Sequence, residues 1–153
     1  MNIAWLYLDK KAAAIRAVKD YRIMDRVIQN YKPAIEEART RMTAAHSPVL
    51  SFAPGSSNML AAGEERIAET IDAISVIEER YNCAVEYMRW FLPAWCALSE
   101  VERIILSEFY QSENISRNVL ISNLSCELFI ERAQIYRLKD KAVEHLALLL
   151  YGR

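Results

Sequence analysis

The sequence predicts an all-α fold, a long N-terminal antiparallel helical hairpin over residues 1–97 followed by a helix-turn-helix over residues 98–153. Three observations point there. Glycine and proline, the residues that break helices, number only 3 and 4 among 153 residues. Much of the turn chemistry falls in one stretch around Pro48, Pro54 and Gly55. Along most of the remaining chain apolar residues recur at steps of three and four, the spacing that holds them on one face of a helix.

The first arm of the hairpin carries Ile15, Val18, Tyr21, Met24, Ile28, Tyr31, Ile35, Ala38 and Met42 at that spacing. Pro33 is expected to kink or interrupt it near 30–32, because proline removes a backbone donor and disfavours helical geometry just before it. Residues 46–58, His-Ser-Pro-Val-Leu-Ser-Phe-Ala-Pro-Gly-Ser-Ser-Asn, form the connection. The second arm repeats the pattern in Ile67, Ile71, Ile74, Ile77, Tyr81, Val85, Met88, Leu92 and Trp95, which makes the pair coiled-coil-like. Charge supports the pairing, since residues 1–48 are net +4 and residues 49–98 net −4. Exposed ion pairs are worth only about 0–1 kcal/mol each, so the charges speak to orientation more than to stability.

Pro93 is expected to end or bend the second arm. Ser99-Glu100-Val101-Glu102 is a capping box, in which serine and glutamate satisfy each other's orphan amides and start a helix running to about Tyr110. A polar break at Gln111-Ser112-Glu113-Asn114 precedes a short amphipathic helix from about Ser116 to Leu128, with Leu120, Ile121, Leu124 and Leu128 on one side. After Phe129-Ile130-Glu131 the last helix places Ile135, Leu138, Ala142, Leu146 and Leu149 on one stripe and turns Ala133, Tyr136, Arg137, Asp140, Lys141 and Glu144 outward. Three helices with a tight turn between the second and third make a helix-turn-helix.

The chemistry-bearing stretch is the start of that last helix. Residues 132–141 hold four cations and one anion, although residues 99–153 sum to −1. Arginine and lysine contact phosphates or guanine edges, glutamine bonds an adenine edge, and alanine meets a thymine methyl. The plain alternative is a solvated helix face. With so modest a charge, one copy alone would bind weakly and in a salt-sensitive way.

Other chemistries find no support. His46 and His145 lack ligand spacing, and Gly55, Gly63 and Gly152 are too scattered for a phosphate loop. Glu64-Glu65 and Glu78-Glu79 diverge by about 100° on a helix rather than converging on a substrate. Cys83, Cys96 and Cys126 show no CxxC spacing and are expected to be small core or boundary residues, so neither a metal nor a disulfide framework is expected. Trp5, Trp90 and Trp95, with Met88 and Phe91, read as packing residues. No enzymatic function and no cofactor are expected. The longest purely apolar run, Leu146–Leu150, is far short of the ~20 residues of a membrane span, and the N-terminus has no basic-then-apolar signal pattern. A cytoplasmic protein with no membrane partner is the expectation.

Two blocks carry a family resemblance: Leu98-Ser-Glu-Val-Glu-Arg-Ile-Ile-Leu-Ser-Glu-Phe-Tyr110, and Gln134-Ile-Tyr-Arg-Leu-Lys-Asp-Lys-Ala142 before a leucine-rich end. They resemble the phage-encoded transcriptional regulators of the ArpU/RinA type, whose C-terminus is similar to the region-four helix-turn-helix of sigma factors. The resemblance implies a phage or prophage regulator in a bacterial host, acting on double-stranded promoter DNA and touching host RNA polymerase. Its recognition positions fall on Arg132, Ala133, Gln134, Arg137 and Lys141, with Tyr136 and Lys139 reaching the backbone. Phe129-Ile130 stands where relatives carry a turn glycine, and the stretch from Asn114 to Val119 is longer than the usual connection. The long arms lead to the expectation of a homodimer. Two rivals remain open, a small-terminase-like DNA-packaging protein and a helical adaptor that binds no DNA.

Overall fold

A computed structural model describes residues 9–44, 57–112 and 115–152. Among these residues the fold is entirely helical, in the order α1 (Lys10–Ala44), α2 (Ser57–Ala97), α3 (Glu100–Gln111), α4 (Arg117–Leu128) and α5 (Arg132–Tyr151). The expected connection at 46–58 therefore lies outside the described residues except for its last two positions, which open α2. His46 and Trp5 lie outside them as well. No helix among the described residues is long and apolar enough to cross a membrane.

The chain divides into two compact units, one of residues 1–24 with 87–153, the other of residues 25–86. The unit that holds α3, α4 and α5 thus also takes the first turns of α1 and the last turns of α2.

In the larger unit, α1 starts at Asp9, whose Oδ1 accepts from the backbone N–H groups of Lys11 and Ala12, both at 3.1 Å. That satisfies two of the donors a helix start leaves open. The core joins Ala14, Ala17 and Val18 of α1 to Phe91, Ala94 and Leu98, to Leu106 of α3, and to Ala142, Val143, Leu146, Ala147 and Leu150 of α5. Alanines at the contact let the helix axes approach, and aromatic rings fill the remaining space. Phe91 packs against Tyr21, Tyr87 and Trp95 with centroids 5.3–5.5 Å apart. Polar ties fix the same packing. Tyr87 donates to the Ala17 carbonyl at 2.5 Å, and the Gln111 amide donates to the Val18 carbonyl at 3.2 Å. Arg22 covers the Gln111 carbonyl at the C-terminus of α3. Burial raises the Tyr87 phenol well above its usual range, so it stays a donor.

Among its described residues the smaller unit buries Ile35, Ala38 and Ala84, with the Tyr31 and Tyr81 rings stacked at 4.1 Å.

Along α2 the less exposed positions include Ile67, Thr70, Ile74, Ile77, Tyr81, Ala84, Met88, Phe91, Trp95 and Leu98, with Val85, Tyr87 and Ala94 widening the covered face toward the C-terminal end. Steps of three and four keep most of these positions on one face of the helix. The pattern corrects the expected stripe at Ile71 and Leu92, which stand 53% and 37% exposed. Phe91 takes the inward place assigned to Leu92. On α1 the expected apolar face is the covered face throughout.

Both prolines lie inside helices that continue past them, so Pro33 does not interrupt α1 and Pro93 does not end α2. Each is exposed, as are Gln29 and Arg89 four residues earlier, whose carbonyls lose a helix donor to the proline; at an exposed position that loss costs little. Cys83, Cys96 and Cys126 are all exposed, not core or boundary residues. Leu149 is likewise 39% exposed, and the buried stripe of α5 runs instead through Val143, Ala147 and Leu150.

The capping box is present: the Ser99 side chain accepts from the Glu102 N–H, and the Glu102 carboxylate accepts from the Ser99 N–H at 2.8 Å. The other carboxylate oxygen meets His145 Nδ1 of α5 at 2.8 Å, so one glutamate both starts α3 and ties it to α5. Burial pushes the Glu102 carboxyl up, but hydrogen bonds from His145 and Ser99 outweigh it and hold the group below the usual carboxylate range. A depressed folded-state value means its stabilisation is present above the unfolded-state value and is lost as pH falls through the folded one. Glu102→Gln should therefore cost roughly 1 kcal/mol near neutral pH, in the range of lost caps. It should also flatten the loss of stability on acidification. Urea midpoints of both proteins between pH 7 and pH 3 test this, and parallel pH curves would contradict it.

Candidate nucleic-acid interface

The two halves of α5 do different work. Its C-terminal half supplies the core residues given above. Its N-terminal half buries only Ile135, which sits with Leu120, Ile121 and Leu124 of α4 in a second apolar cluster closed by Ile104, Phe109, Leu128 and Ile130. One buried residue in the first ten leaves most of that stretch facing outward.

The corner between α4 and α5 is tied by backbone. Phe129 caps α4 in the left-handed conformation, φ 54°, with its N–H bonded to the Ser125 carbonyl. The Ile130 N–H reaches the same carbonyl at 3.3 Å, and the Ser125 hydroxyl donates to the Ile130 carbonyl at 2.7 Å. Ile130 turns inward while Phe129 stands 94% exposed. Phe129 thus occupies the positive-φ position that glycine usually fills after a helix. The connection from α3 to α4 spans Ser112–Ser116, with Ser116 as the N-cap of α4, although its side chain makes no capping bond.

Of the seven residues singled out in the sequence, Arg132, Ala133, Gln134, Tyr136, Arg137 and Lys141 are exposed. Ala133, Arg137 and Lys141 follow one another at steps of four, with Gln134 beside them, so they share one ridge. Among the described residues Arg137 and Lys141 have no ion-pair partner and the Gln134 side chain has no hydrogen bond. Arg132 is held by Ser122 of α4, donating to its hydroxyl at 2.7 Å, which leaves its charge unneutralised.

Lys139 and Tyr136 are anchored differently. The Lys139 ammonium lies over the rings of Phe109 and Tyr136, 5.7 and 5.9 Å from their centroids, and pairs with Asp140 at 2.9 Å. Its side chain is only 22% exposed. The outward positive charge of α5 therefore rests on Arg132, Arg137 and Lys141. Ser122 and Phe109, which position Arg132 and Lys139, belong to other helices, and no spacing within α5 marks them.

The ridge presents cations, an amide and a methyl-bearing side chain on a helix of about 10–12 Å diameter, which a DNA major groove about 12 Å wide admits. Among the described residues no group of histidine, cysteine and carboxylate side chains is arranged to hold a metal ion. Comparison with protein families, with characterised proteins and with solved structures finds no match to this chain.

Proposed function

We propose that this protein is a DNA-binding transcriptional regulator of phage or prophage type, similar to the ArpU/RinA regulators, that reads double-stranded promoter DNA through the first half of α5. In this reading α3, α4 and α5 form a sigma-region-four-like helix-turn-helix, α1 and α2 form an antiparallel coiled-coil hairpin, and two copies act together in the cytoplasm of a bacterial host. Host RNA polymerase is its second partner. The observation that carries the proposal is that Arg137 and Lys141 have no ion-pair partner among the described residues, on an exposed ridge beside Gln134. An adaptor that binds no DNA would more naturally neutralise those cations against its own acids. The left-handed Phe129 between α4 and α5 keeps a tight turn there, although the regulators that the chain resembles carry glycine at that position.

The test is fluorescence-polarisation binding to duplex DNA from the neighbourhood of the protein's own gene, over a salt series. Wild type should bind saturably, with log K falling linearly against log salt. Arg137→Ala with Lys141→Ala should weaken binding about 10- to 100-fold at low salt and reduce the salt slope by roughly one unit for each phosphate no longer neutralised. No wild-type binding at about 50 mM salt would overturn the proposal and favour the adaptor. A large ring of copies would favour a packaging protein.

A further inference from the structure

The exposed cations of α5 do not share a face. At about 100° of turn per residue, Arg132 lies about 140–180° around the helix from Arg137 and Lys141, and about 160° from Gln134. It lies only about 60° from Ile135, the residue that α5 inserts among Leu120, Ile121 and Leu124 of α4. Arg132 therefore stands on the flank turned toward α4, and its Nη2 donates to the Ser122 hydroxyl of that helix at 2.7 Å. A long side chain with many rotamers is held against α4, and it has no ion-pair partner among the described residues. Gln134, on the far side, is exposed and its carboxamide has no hydrogen bond among the described residues.

We propose, resting on the DNA reading above, that these residues divide the work: Arg132 is a phosphate clamp that Ser122 positions, whereas Gln134 reads a base edge. The reason is reach. When a helix of such a pair lies in the major groove, its outward ridge meets base edges, while the helix packed behind it crosses the backbone. A guanidinium tied to that second helix is held at the level of the phosphates. The bond to Ser122 uses one of its five N–H donors, which leaves the others and the full charge for phosphate oxygens. An uncharged carboxamide gains little from a phosphate, but its acceptor and donor match N6 and N7 of adenine. Arg132 thus contributes affinity on any sequence, and Gln134 contributes only on the right one. Ser122 acts through Arg132, by keeping the side chain ordered before DNA arrives.

Fluorescence polarisation of the full chain tests this with two duplexes, one from the neighbourhood of its own gene and one of the same length and composition with the sequence scrambled. Wild type should prefer the first. Arg132→Ala should weaken binding to both by the same factor, about 10-fold at about 50 mM salt, and reduce the salt slope by about one unit. Gln134→Ala should leave the slope unchanged and cut the preference between duplexes about 5- to 100-fold. Ser122→Ala should weaken both duplexes about 2- to 10-fold with the slope kept, because the charge is still present but no longer ordered. Ser122→Thr, which retains the hydroxyl, should bind as wild type does, and Ser122→Ala should have no further effect once Arg132 is alanine. A purely structural bond between α4 and α5 would show in the melting temperature and would not be abolished by removing Arg132. An Arg132→Ala variant that loses preference instead of overall affinity overturns the division of roles, as does a Ser122→Ala effect that adds to that of Arg132→Ala. Those results would leave the DNA reading standing. No wild-type binding to either duplex overturns that reading and this inference with it.

Discussion

Phe91→Ala is expected to remove about 3–5 kcal/mol of unfolding free energy, the range for deleting a fully buried phenylalanine. Phe91 is 0% exposed and its ring touches those of Tyr21, Tyr87 and Trp95. Those three keep polar ends or partial exposure, so none can slide inward to fill the space without giving up packing of its own. Tyr87 in particular is pinned by its bond to the Ala17 carbonyl. The cavity should stay open, which places the cost toward the upper end of the range. Guanidinium unfolding followed by far-UV circular dichroism measures it. Against a typical total of about 5–15 kcal/mol, the variant should melt roughly 10 °C lower. A loss below about 1 kcal/mol would mean that the aromatic cluster does not hold α1 to α2. Leu92→Ala makes the matched control, since Leu92 is 37% exposed and should cost far less.

That contrast also marks where periodicity reaches its limit. Steps of three and four distinguish a helix from a strand, and they place α1, α2 and α5 in this chain. They do not decide between two apolar neighbours such as Phe91 and Leu92, because a period of 3.5 and one of 3.6 diverge only after several turns. The choice falls to how α2 packs against its neighbours, and on its covered face small residues such as Ala84 and Ala94 stand beside large ones. The prolines misled for a related reason. Their local penalty is real, but an exposed Pro33 costs one hydrogen bond, whereas the packing of Tyr31, Ile35 and Ala38 on either side favours an uninterrupted helix.

The helix starts of the C-terminal third were more legible because caps are local chemistry. Ser99 with Glu102 marks α3 in four residues, and the structure keeps both bonds. The exposed cations of α5 were legible from the same short-range pattern. Their tuning was not. Arg132 depends on Ser122 ten residues earlier, and Lys139 on Phe109 thirty residues earlier, contacts set by how helices pack rather than by spacing on one helix. The role of His145 was hidden likewise, because its partner Glu102 is forty-three residues away. Phe129 holds the positive φ that glycine usually supplies after a helix, and no spacing along the chain marks a phenylalanine for that conformation.

Ile135→Ala should be the second large destabilisation, about 2–5 kcal/mol, and it probes how α5 is held at the candidate interface. Ile135 is 0% exposed and is the only buried residue in the first ten of α5, inserted among Leu120, Ile121 and Leu124. The polar ties to that half of the helix, Arg132 to Ser122 and Lys139 over Phe109, lie at its surface and are worth less. Because Leu146, Ala142 and Leu150 anchor the other end of the same helix in the larger cluster, loosening the N-terminal half should not release the helix as a whole. Both clusters belong to one compact unit, so the expected result is a single transition, with tryptophan fluorescence and far-UV dichroism coinciding, shifted to lower denaturant. The Phe91→Ala and Ile135→Ala losses should then add to within about 0.5 kcal/mol, since the two residues share no partner. Two separated transitions in Ile135→Ala would instead mean that α4 and the start of α5 melt on their own. In that case the ridge of Arg137 and Lys141 would rest on a locally unstable element, and the proposed DNA binding would be lost with temperature before the α1, α2 and α5 core unfolds.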